Sequence, residues 1–493
     1  MIPYTIKSFR GGFSDESDKG IAGSYKFGHA LDIHKRDDTL SCKQAMATVL
    51  DETRGLGVYG GTIMTGLINV FVPASDGSTY AFSDRGSIWC RTGEGNWTFV
   101  YNDENGKING AAEWEDTNGN NYLYWATATA IARKAFPGVN AAPDTATMRW
   151  TDAVQEYKTE FVRLTDWHSM KQAAGSLFIT NRESLAEQDF DGNWQPQAMN
   201  VRPGNVLACL EERNDSIILG SGKNNDSEEG QLWSWTPVAV NWVQKTKIPV
   251  KGINALIATE LLLMQGGEDG ELFFSDFTNV VPLNSIPGGG KVNPNGVTIE
   301  NDLAMFGFYG GDYPGIWSFG RRKKNRSHAL NYEYRLSGTA SGSTISTISA
   351  IAVLAGTLIA SWGSNEINSD NSYGIDQVSD TTKATAIYEG LEFDGGKPYL
   401  EKKFDTIKLT MAPLPVGTSI AAKFKLDKDT SWKYAVLADR TTTFSTSSTT
   451  AVLFSINRPA EVYEVGVELN PSENLTPEIL SITTYLSNQN NEF

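Results

Sequence analysis

Cysteine is scarce: Cys42, Cys90 and Cys209 are the only three among 493 residues, odd in number and far apart. No disulfide framework follows from that spacing, and Cys209, inside an apolar run, reads as a small buried hydrophobe. Histidine is nearly as rare, with four residues, His29, His34, His168 and His328, that share no metal-ligand spacing. There is no G-x-S-x-G elbow, no phosphate loop and no dinucleotide fingerprint. The glycines of Pro287-Gly288-Gly289-Gly290-Lys291 lack both the phosphate-loop spacing and a following helix, so they read as a loop. The longest apolar run, Ala350 to Trp362, is about 13 residues, is broken by Gly356, and is too short to span a bilayer. The opening residues hold no basic segment followed by an apolar one, so no secretory signal is expected. The expectation is a soluble protein made in the cytoplasm, without membrane insertion. Cations are in deficit, 42 Lys and Arg against 58 Asp and Glu, for a formal net charge of -16. Such a surface disfavours adhesion to nucleic acid or to anionic membranes, where affinity comes from Lys and Arg replacing counterions.

What is present is glycine, aromatics and repetition. The 47 Gly against 18 Pro suit many tight turns, and a 40% hydrophobic content with 11% aromatics suits a large core. From Val206 to about Ser379 one unit occurs four times, at a period of about 45 residues, a spacing expected of propellers and solenoids. Each unit begins with an apolar run: Val206-Leu207-Ala208-Cys209-Leu210, Ile253-Asn254-Ala255-Leu256-Ile257, Gly296-Val297-Thr298-Ile299, and Ile348 to Val353. A second run follows at Ser216–Gly220, Leu261–Met264, Leu303–Gly307 and Thr357–Ala360. After a polar turn comes the third, at Gly230–Trp235, Gly270–Ser275, Gly315–Gly320 and Tyr373–Asp376. The runs are short, branched and aromatic, and bounded by Gly, Asn or Asp, which marks antiparallel strands. Three or four such strands make one blade of a β-propeller.

Three weaker units precede these. One runs from Thr62 to about Glu104. The next starts near Gly110 and carries a longer tail, Asn140 to Asp166, in which Val154 to Leu164 is the one place for a short helix. The last begins near His168. The expected fold class is all-β: a seven-bladed β-propeller, within a range of six to eight, over residues 61–390. Residues 1–60 read as an N-terminal arm with a strand near Gly23–Ile33, lying along a neighbour or closing the ring. From about Leu391 the strands lengthen and alternate polar with apolar, as in Ser419–Leu426 and Tyr463–Leu469, so 391–493 reads as a C-terminal β-sandwich. The Thr441–Thr450 stretch reads as a loop.

No set of residues assembles into a catalytic, cofactor-binding or metal site. Asp116-Thr117-Asn118-Gly119-Asn120 offers oxygens at alternate positions, as calcium loops do; a hairpin turn at Asn-Gly is the expected reading, and calcium at Asp116, Asn118 and Asn120 stays open. Asp84-Arg85-Gly86-Ser87-Ile88-Trp89 half-matches an Asp-box, with Phe82 at the hydroxyl position, which is a structural turn. The single basic run, Arg321-Arg322-Lys323-Lys324-Asn325-Arg326, reads as a solvated hairpin tip or as a contact with an acidic neighbour. Trp233, Trp235 and Trp317 read as core between blades, with a sugar-stacking face as the rival reading.

The opening Phe9-Arg10-Gly11-Gly12-Phe13-Ser14-Asp15, then Gly23-Ser24-Tyr25-Lys26-Phe27-Gly28, Leu31-Asp32-Ile33 and Asp38-Thr39-Leu40-Ser41-Cys42, resembles structural proteins of tailed bacteriophages. Pro314-Gly315-Ile316-Trp317-Ser318-Phe319-Gly320 and Tyr373-Gly374-Ile375-Asp376 are similar in kind. The resemblance implies a non-enzymatic virion component of nozzle, hub or tail-tip type, in the tail of the particle. Its partners would be other tail proteins and copies of itself in a ring, with DNA only as transient cargo in a negatively lined channel. It brings no cofactor and no catalytic residue. Two other classes stand beside it. An adhesin for host surface glycan or protein would place exposed aromatics beside Asn or Asp. A glycan-acting enzyme would need paired carboxylates in the propeller's funnel.

Overall fold

The computed structural model describes all residues except 1, 17–20, 35–37, 52–65, 94–96, 104–105, 129–130, 136–166, 224–228, 238, 338–343, 366–371, 397–398, 428 and 489–493. The described residues contain strands, turns and no α-helix. The expected helix at Val154 to Leu164, the Asn140–Asp166 tail and the start of the unit at Thr62 lie outside the described residues.

Seven antiparallel sheets follow one another along the described chain, at 68–102, 108–135, 170–200, 205–248, 253–282, 291–334 and 344–383. Six have four strands and the second has three described strands; consecutive strands pair throughout, except that the seventh sheet takes its last strand from Gln44–Asp51. The first strand of every sheet lies beside the first strand of the next. Thr344–Leu354 of the seventh in turn lies beside Ile68–Pro73 of the first. Aromatic wedges fill the spaces between sheets. Phe82 meets Trp125 at 6.4 Å between ring centroids, Tyr124 meets Trp194 at 6.2 Å, and Phe178 meets Trp235 at 5.8 Å. Trp233, Trp235 and Trp317 are all at most 1% exposed, so they are core and present no stacking face.

The seventh sheet supplies only three strands from its own repeat. Its fourth is Gln44–Asp51, paired antiparallel with Ser372–Lys383 in the register Leu50 to Ile375 and Ala47 to Gln377. The N-terminal segment, expected to lie along a neighbour or to close the ring, pairs here with the third strand of the seventh sheet. The same segment also enters two further sheets. Ile2–Ile6 pairs with Ile479–Asn488, and Phe27–His29 pairs with Ala386–Glu389. These two sheets, one ordered Ile2–Ile6, Ile479–Asn488, Lys402–Met411, Ala451–Ala460 and the other built on Ser419–Leu426 and Tyr463–Asn470, share one apolar core. Phe404, Ile407 and Leu409 from the first sheet and Val467 and Leu469 from the second are fully buried there. Buried and less buried positions largely alternate along Lys402–Met411 and Ala451–Ala460, whereas Ser419–Leu426 and Tyr463–Asn470, expected to alternate, each hold five consecutive buried residues, so both faces of that sheet are covered there.

The stretch expected as one strand over Gly23–Ile33 is instead two short ones, Ser24–Tyr25 and Phe27–His29. The reason is divided loyalty. Tyr25 points to the sixth sheet, where its hydroxyl donates to Asn331 Oδ1 at 2.5 Å, whereas Phe27–His29 pairs with Ala386–Glu389. Ala30 then takes φ 52°, which ends the strand. Thr441–Thr450 is also more than a loop, because Thr443–Phe444 pairs with Ile420 and Ala421.

A buried ion pair fixes the entry to the closing strand. Lys43 Nζ meets Glu333 Oε2. The two side chains are 8% and 0% exposed, and Ser318 Oγ donates to the other Glu333 oxygen at 2.5 Å. Lys43 also lies 4.6 Å from the centre of the Tyr334 ring. Burial holds the Lys43 ammonium down to about 8, against the attraction of Asp32 and Glu300. Removing one partner of such a pair leaves an uncompensated buried charge, which costs about 3–5 kcal/mol, whereas an apolar replacement of both is far milder. Thermal unfolding of Lys43→Ala should therefore show a loss of about that size, with Lys43→Met/Glu333→Met recovering most of it. A wild-type melting temperature in Lys43→Ala would contradict the arrangement.

Candidate functional site

A cavity of about 740 Å³ is lined by first-strand residues of the first, fourth, fifth, sixth and seventh sheets, among them Asn69, Ala208, Asn254, Asn293 and Ser349. Side chains reach it because the innermost strands bulge at matching positions. The register slips by one residue between Ile68 and Val70, Ile108 and Gly110, Leu207 and Cys209, Ile253 and Ala255, and Ile348 and Ala350. A bulge leaves one residue unpaired and re-aims its side chain. The extra residues are Asn69, Asn109, Ala208, Asn254 and Ser349. The sequence carries a trace of this in Ile68-Asn69, Ile108-Asn109 and Ile253-Asn254, a repeated Ile-Asn pair that strand patterning alone does not single out.

These side chains form a belt that joins neighbouring sheets. Asn69 Nδ2 donates to Ile108 O at 2.8 Å, and Ser349 Oγ donates to Asn69 Oδ1 at 2.8 Å. Asn293 Nδ2 donates to Ile348 O at 3.1 Å while its Oδ1 accepts from Tyr309 OH at 2.7 Å. Asn254 Nδ2 donates to Gln265 Oε1 at 2.9 Å, and that oxygen also accepts from Val292 N at 3.1 Å. The belt thus links the seventh sheet to the first, the first to the second, the sixth to the seventh and the fifth to the sixth. Where the second sheet meets the third, the contact is closer still. His168 N donates to Asn109 O at 3.1 Å, and a Cβ on Gly110 would stand 1.6 Å from His168 O.

The charges lining the cavity are Lys107, Arg182, Lys291 and Asp84. Lys291 Nζ pairs with Glu268 Oε1 at 2.8 Å, and Lys107 lies 5.5 Å from the centre of the Trp167 ring. Asp84 is the one carboxylate among the described lining residues, and its Oδ1 accepts from Leu67 N at 2.9 Å. Burial raises the Asp84 carboxyl despite that bond. The acidic excess of the chain therefore does not converge on this cavity. Among the described lining residues there is no pair of carboxylates, about 5–10 Å apart, of the kind glycoside hydrolysis uses.

The sequence-selected motifs fall elsewhere. Asp116 closes the hairpin between Ile108–Glu115 and Asn121–Thr127. Its Oδ1 accepts from Asn118 N at 2.8 Å and Asn120 N at 2.9 Å, and its Oδ2 accepts from Asn120 Nδ2 at 2.9 Å. Those bonds hold its carboxyl below the usual range. Asp189 repeats the device with Asn193, at 2.7 Å to the backbone and 3.0 Å to the side chain. Among the described residues no group of three or more His, Cys, Asp or Glu is placed to hold a metal ion. His29 and His34 are far apart in surroundings. His29 packs 5.1 Å from the Tyr332 ring, and His34 Nε2 lies 3.7 Å from Glu333 Oε1. Burial pushes both down, to about 4 and about 3.

The basic run is tied down within the chain. Arg321 grips the Glu260 carboxylate with two nitrogens, Nε at 2.8 Å and a terminal nitrogen at 2.9 Å, and His328 Nε2 adds a contact at 2.6 Å. Glu260 belongs to the turn of the fifth sheet, so the bidentate pair clips the fifth sheet to the sixth. Neither expected reading of the run anticipated an acidic partner on the same chain, because Glu260 is remote in sequence.

No family model and no curated protein matches this chain. Solved structures do resemble it in outline. The WD40 β-propeller domain of Doa1 is 12% identical with a TM-score of 0.43, covering 68% of this chain and 98% of its own. YCF48 bound to a D1 peptide is 11% identical at a TM-score of 0.40, covering 65% and 94%. The extracellular domain of a hybrid two-component system from B. thetaiotaomicron is 12% identical at 0.41, covering 86% and 60%. The likeness is one of propeller-type fold and carries no partner or ligand with it.

Two outcomes follow from this geometry. Gly110→Ala should cost more than about 3 kcal/mol or abolish folding, because its Cβ meets backbone that cannot retreat, whereas Gly77→Ala, which faces open space at φ 81°, should cost only about 1 kcal/mol. Equal melting temperatures for the two variants would refute the close contact. Hydrogen bonding from Arg321 holds the Glu260 carboxyl down to about 2 from an ordinary 4.5. A depressed acid contributes fully above its unfolded pKa and loses that contribution as pH falls through the folded value. Carboxyl NMR should show Glu260 titrating near 2 in the wild type and moving up toward 4.5 in Arg321→Ala, where only the His328 contact still holds it down; a wild-type midpoint at 4.5 would mean the clip is absent in solution.

Proposed function

We propose that this chain is a non-enzymatic structural component of a bacteriophage tail, of nozzle, hub or tail-tip type, acting in the virion after synthesis in the host bacterial cytoplasm. In this reading the seven sheets are the blades of one closed propeller, and the two C-terminal sheets form a β-sandwich appended to it. The observation that carries the proposal is the route of the N-terminal segment. Residues 2–51 pass through both C-terminal sheets and then complete the seventh propeller sheet. One segment therefore ties two domains into a single body, which suits a part that must hold its shape under load. The motifs of the tail-protein resemblance lie on that joint. Phe13 packs edge-on to Trp317 at 6.1 Å, and Ser318 Oγ donates to the Glu333 carboxylate that pairs with Lys43. Copies of the chain in a ring, joined by other tail proteins, would be its partners, with DNA passing as transient cargo.

A second reading, an adhesin for host glycan or protein, is favoured by aromatics exposed beside acids. Phe190, 56% exposed, lies between Asp189 and Asp191, and Tyr313, 36% exposed, follows Asp312. Light scattering distinguishes the two. The structural reading expects a discrete ring, at a multiple of 53.9 kDa, for the protein alone or after addition of purified tail partners. A species that stays at 53.9 kDa with every partner while adsorbing to host cells would overturn it in favour of the adhesin.

A further inference from the structure

The cavity among the first strands has a floor. Val292 pairs with Phe308 and Val297 with Phe306, so residues 293–296 stand against Gly307 alone and loop out of the sixth sheet. Asn295 Nδ2 donates to Asn69 O at 3.0 Å, which carries this loop past the seventh sheet to the first. Asn293 and Pro294 line the cavity on the way. The lining charges stand at one end. Lys107 and Lys291 lie where first strands begin, and Asp84 and Arg182 lie in turns between second and third strands. In antiparallel sheets those positions share one end. The space is therefore a cup, closed by 293–296 and rimmed by charge. Its volume, about 740 Å³, falls in the range of small-molecule pockets, roughly 300–1,000 Å³.

Arg182 is placed there under strain. It takes φ 55°, a left-handed conformation uncommon for a long side chain, and its carbonyl accepts from Leu207 N at 2.6 Å. The half-buried guanidinium has no partner among the described residues. Strained backbone of this kind gathers at ligand sites. The other two cations are partly engaged, Lys107 over the Trp167 ring and Lys291 with Glu268, whose side chain is 73% exposed. Three cations against Asp84 and Glu268 leave a positive excess in a chain of net charge -16. Acceptors face the same space. Asp84 gives Oδ1 to Leu67 N, and Asn254 donates from Nδ2 to Gln265 Oε1 at 2.9 Å and Gly267 O at 2.7 Å, which leaves its Oδ1 to accept.

We propose that this cup binds a sugar phosphate, with the phosphate held by Arg182 in the field of Lys107 and Lys291, and sugar hydroxyls donating to Asp84 and Asn254 Oδ1. Each group has a distinct task. A guanidinium grips phosphate with two parallel hydrogen bonds, whereas an ammonium adds charge with little demand on direction. Asp84 and Asn254 select for hydroxyl donors. A neutral sugar would leave Arg182 unpaired, and inorganic phosphate would meet Asp84 as a like charge and leave both acceptors idle. A nucleic-acid strand offers phosphates too, but it cannot thread a cup closed by 293–296. The inference goes beyond the structural reading, since assembly of a ring needs no ligand here.

Calorimetry on the full chain tests it with ribose 5-phosphate, ribose, inorganic phosphate and a short oligothymidylate as probes. The expected result is binding of ribose 5-phosphate, with ribose and inorganic phosphate each at least about tenfold weaker, a factor worth about 1.4 kcal/mol. Arg182→Gln should weaken ribose 5-phosphate about tenfold or more at an unchanged melting temperature, because the guanidinium secures nothing else. Asp84→Asn should weaken ribose 5-phosphate yet tighten inorganic phosphate, since it alters a hydroxyl acceptor and removes a like charge together. A variant that merely unfolds cannot produce that opposite pair. Absence of ribose 5-phosphate binding, binding that Arg182→Gln leaves intact, a sugar phosphate no tighter than inorganic phosphate, or preference for the oligothymidylate would overturn the proposal. None of these results bears on ring assembly, so failure here and failure of the structural reading are told apart.

Discussion

Antiparallel pairing of Gln44–Asp51 with Ser372–Lys383 is the constraint on which the rest of the molecule depends. Without it Ser372–Lys383 would be an open edge, with a row of main-chain donors and acceptors facing water and ready to pair with another chain. With it, the last sheet gains a fourth strand, supplied by the N-terminal segment. Everything upstream is arranged to deliver that strand. Lys43 is anchored on Glu333 just before it, Lys43 N donates to Ala30 O at 2.8 Å, and Ala384 N donates to Lys43 O at 2.9 Å. The segment cannot leave the seventh sheet without also exposing a buried ion pair.

The repeats were legible in the sequence for a physical reason. Each sheet pairs a strand with its sequence neighbour, so the signals that define it, apolar runs and the turns between them, are local. The hairpin at Asp116 was equally local, since Asn118 and Asn120 sit within reach of its carboxylate. The parts that escaped are the long-range ones. Nothing near Met46 announces a partner at Val378, and nothing near Arg321 announces Glu260. Ile2–Ile6 and Phe27–His29 belong to sheets whose other strands lie at the opposite end of the chain. The bulge at Asn69, Asn109 and Asn254 lies between these extremes. Its residue type repeats, yet a polar residue in an apolar strand reads as a blemish until the register shows that each one faces the central cavity or the adjoining sheet.

Specific residues in the motifs that stand out in the sequence also acquire causes. In Tyr373-Gly374-Ile375-Asp376, a Cβ on Gly374 would stand 2.5 Å from Trp362 Cζ2, so the indole occupies the space that a side chain would need. The same indole donates to Asp376 Oδ1 at 2.8 Å, and Asp376 Oδ2 accepts from Ser337 N at 2.6 Å. That buried carboxylate thereby secures the link between the sixth and seventh sheets, beside the strand that the N-terminus supplies. Charge is distributed to the same end. Acids that could have repelled one another are used singly, as turn closers at Asp116 and Asp189 or as clips at Glu260 and Glu333. The central cavity keeps Lys107, Arg182 and Lys291.

Amide hydrogen exchange across residues 44–51 tests the central claim most directly. If this segment is a strand of the seventh sheet, its amides should exchange as slowly as those of Thr357–Asn365 in the middle of that sheet, because both open only when the sheet does. Exchange of 44–51 within seconds, while Thr357–Asn365 remains protected, would show a loose arm and contradict the account.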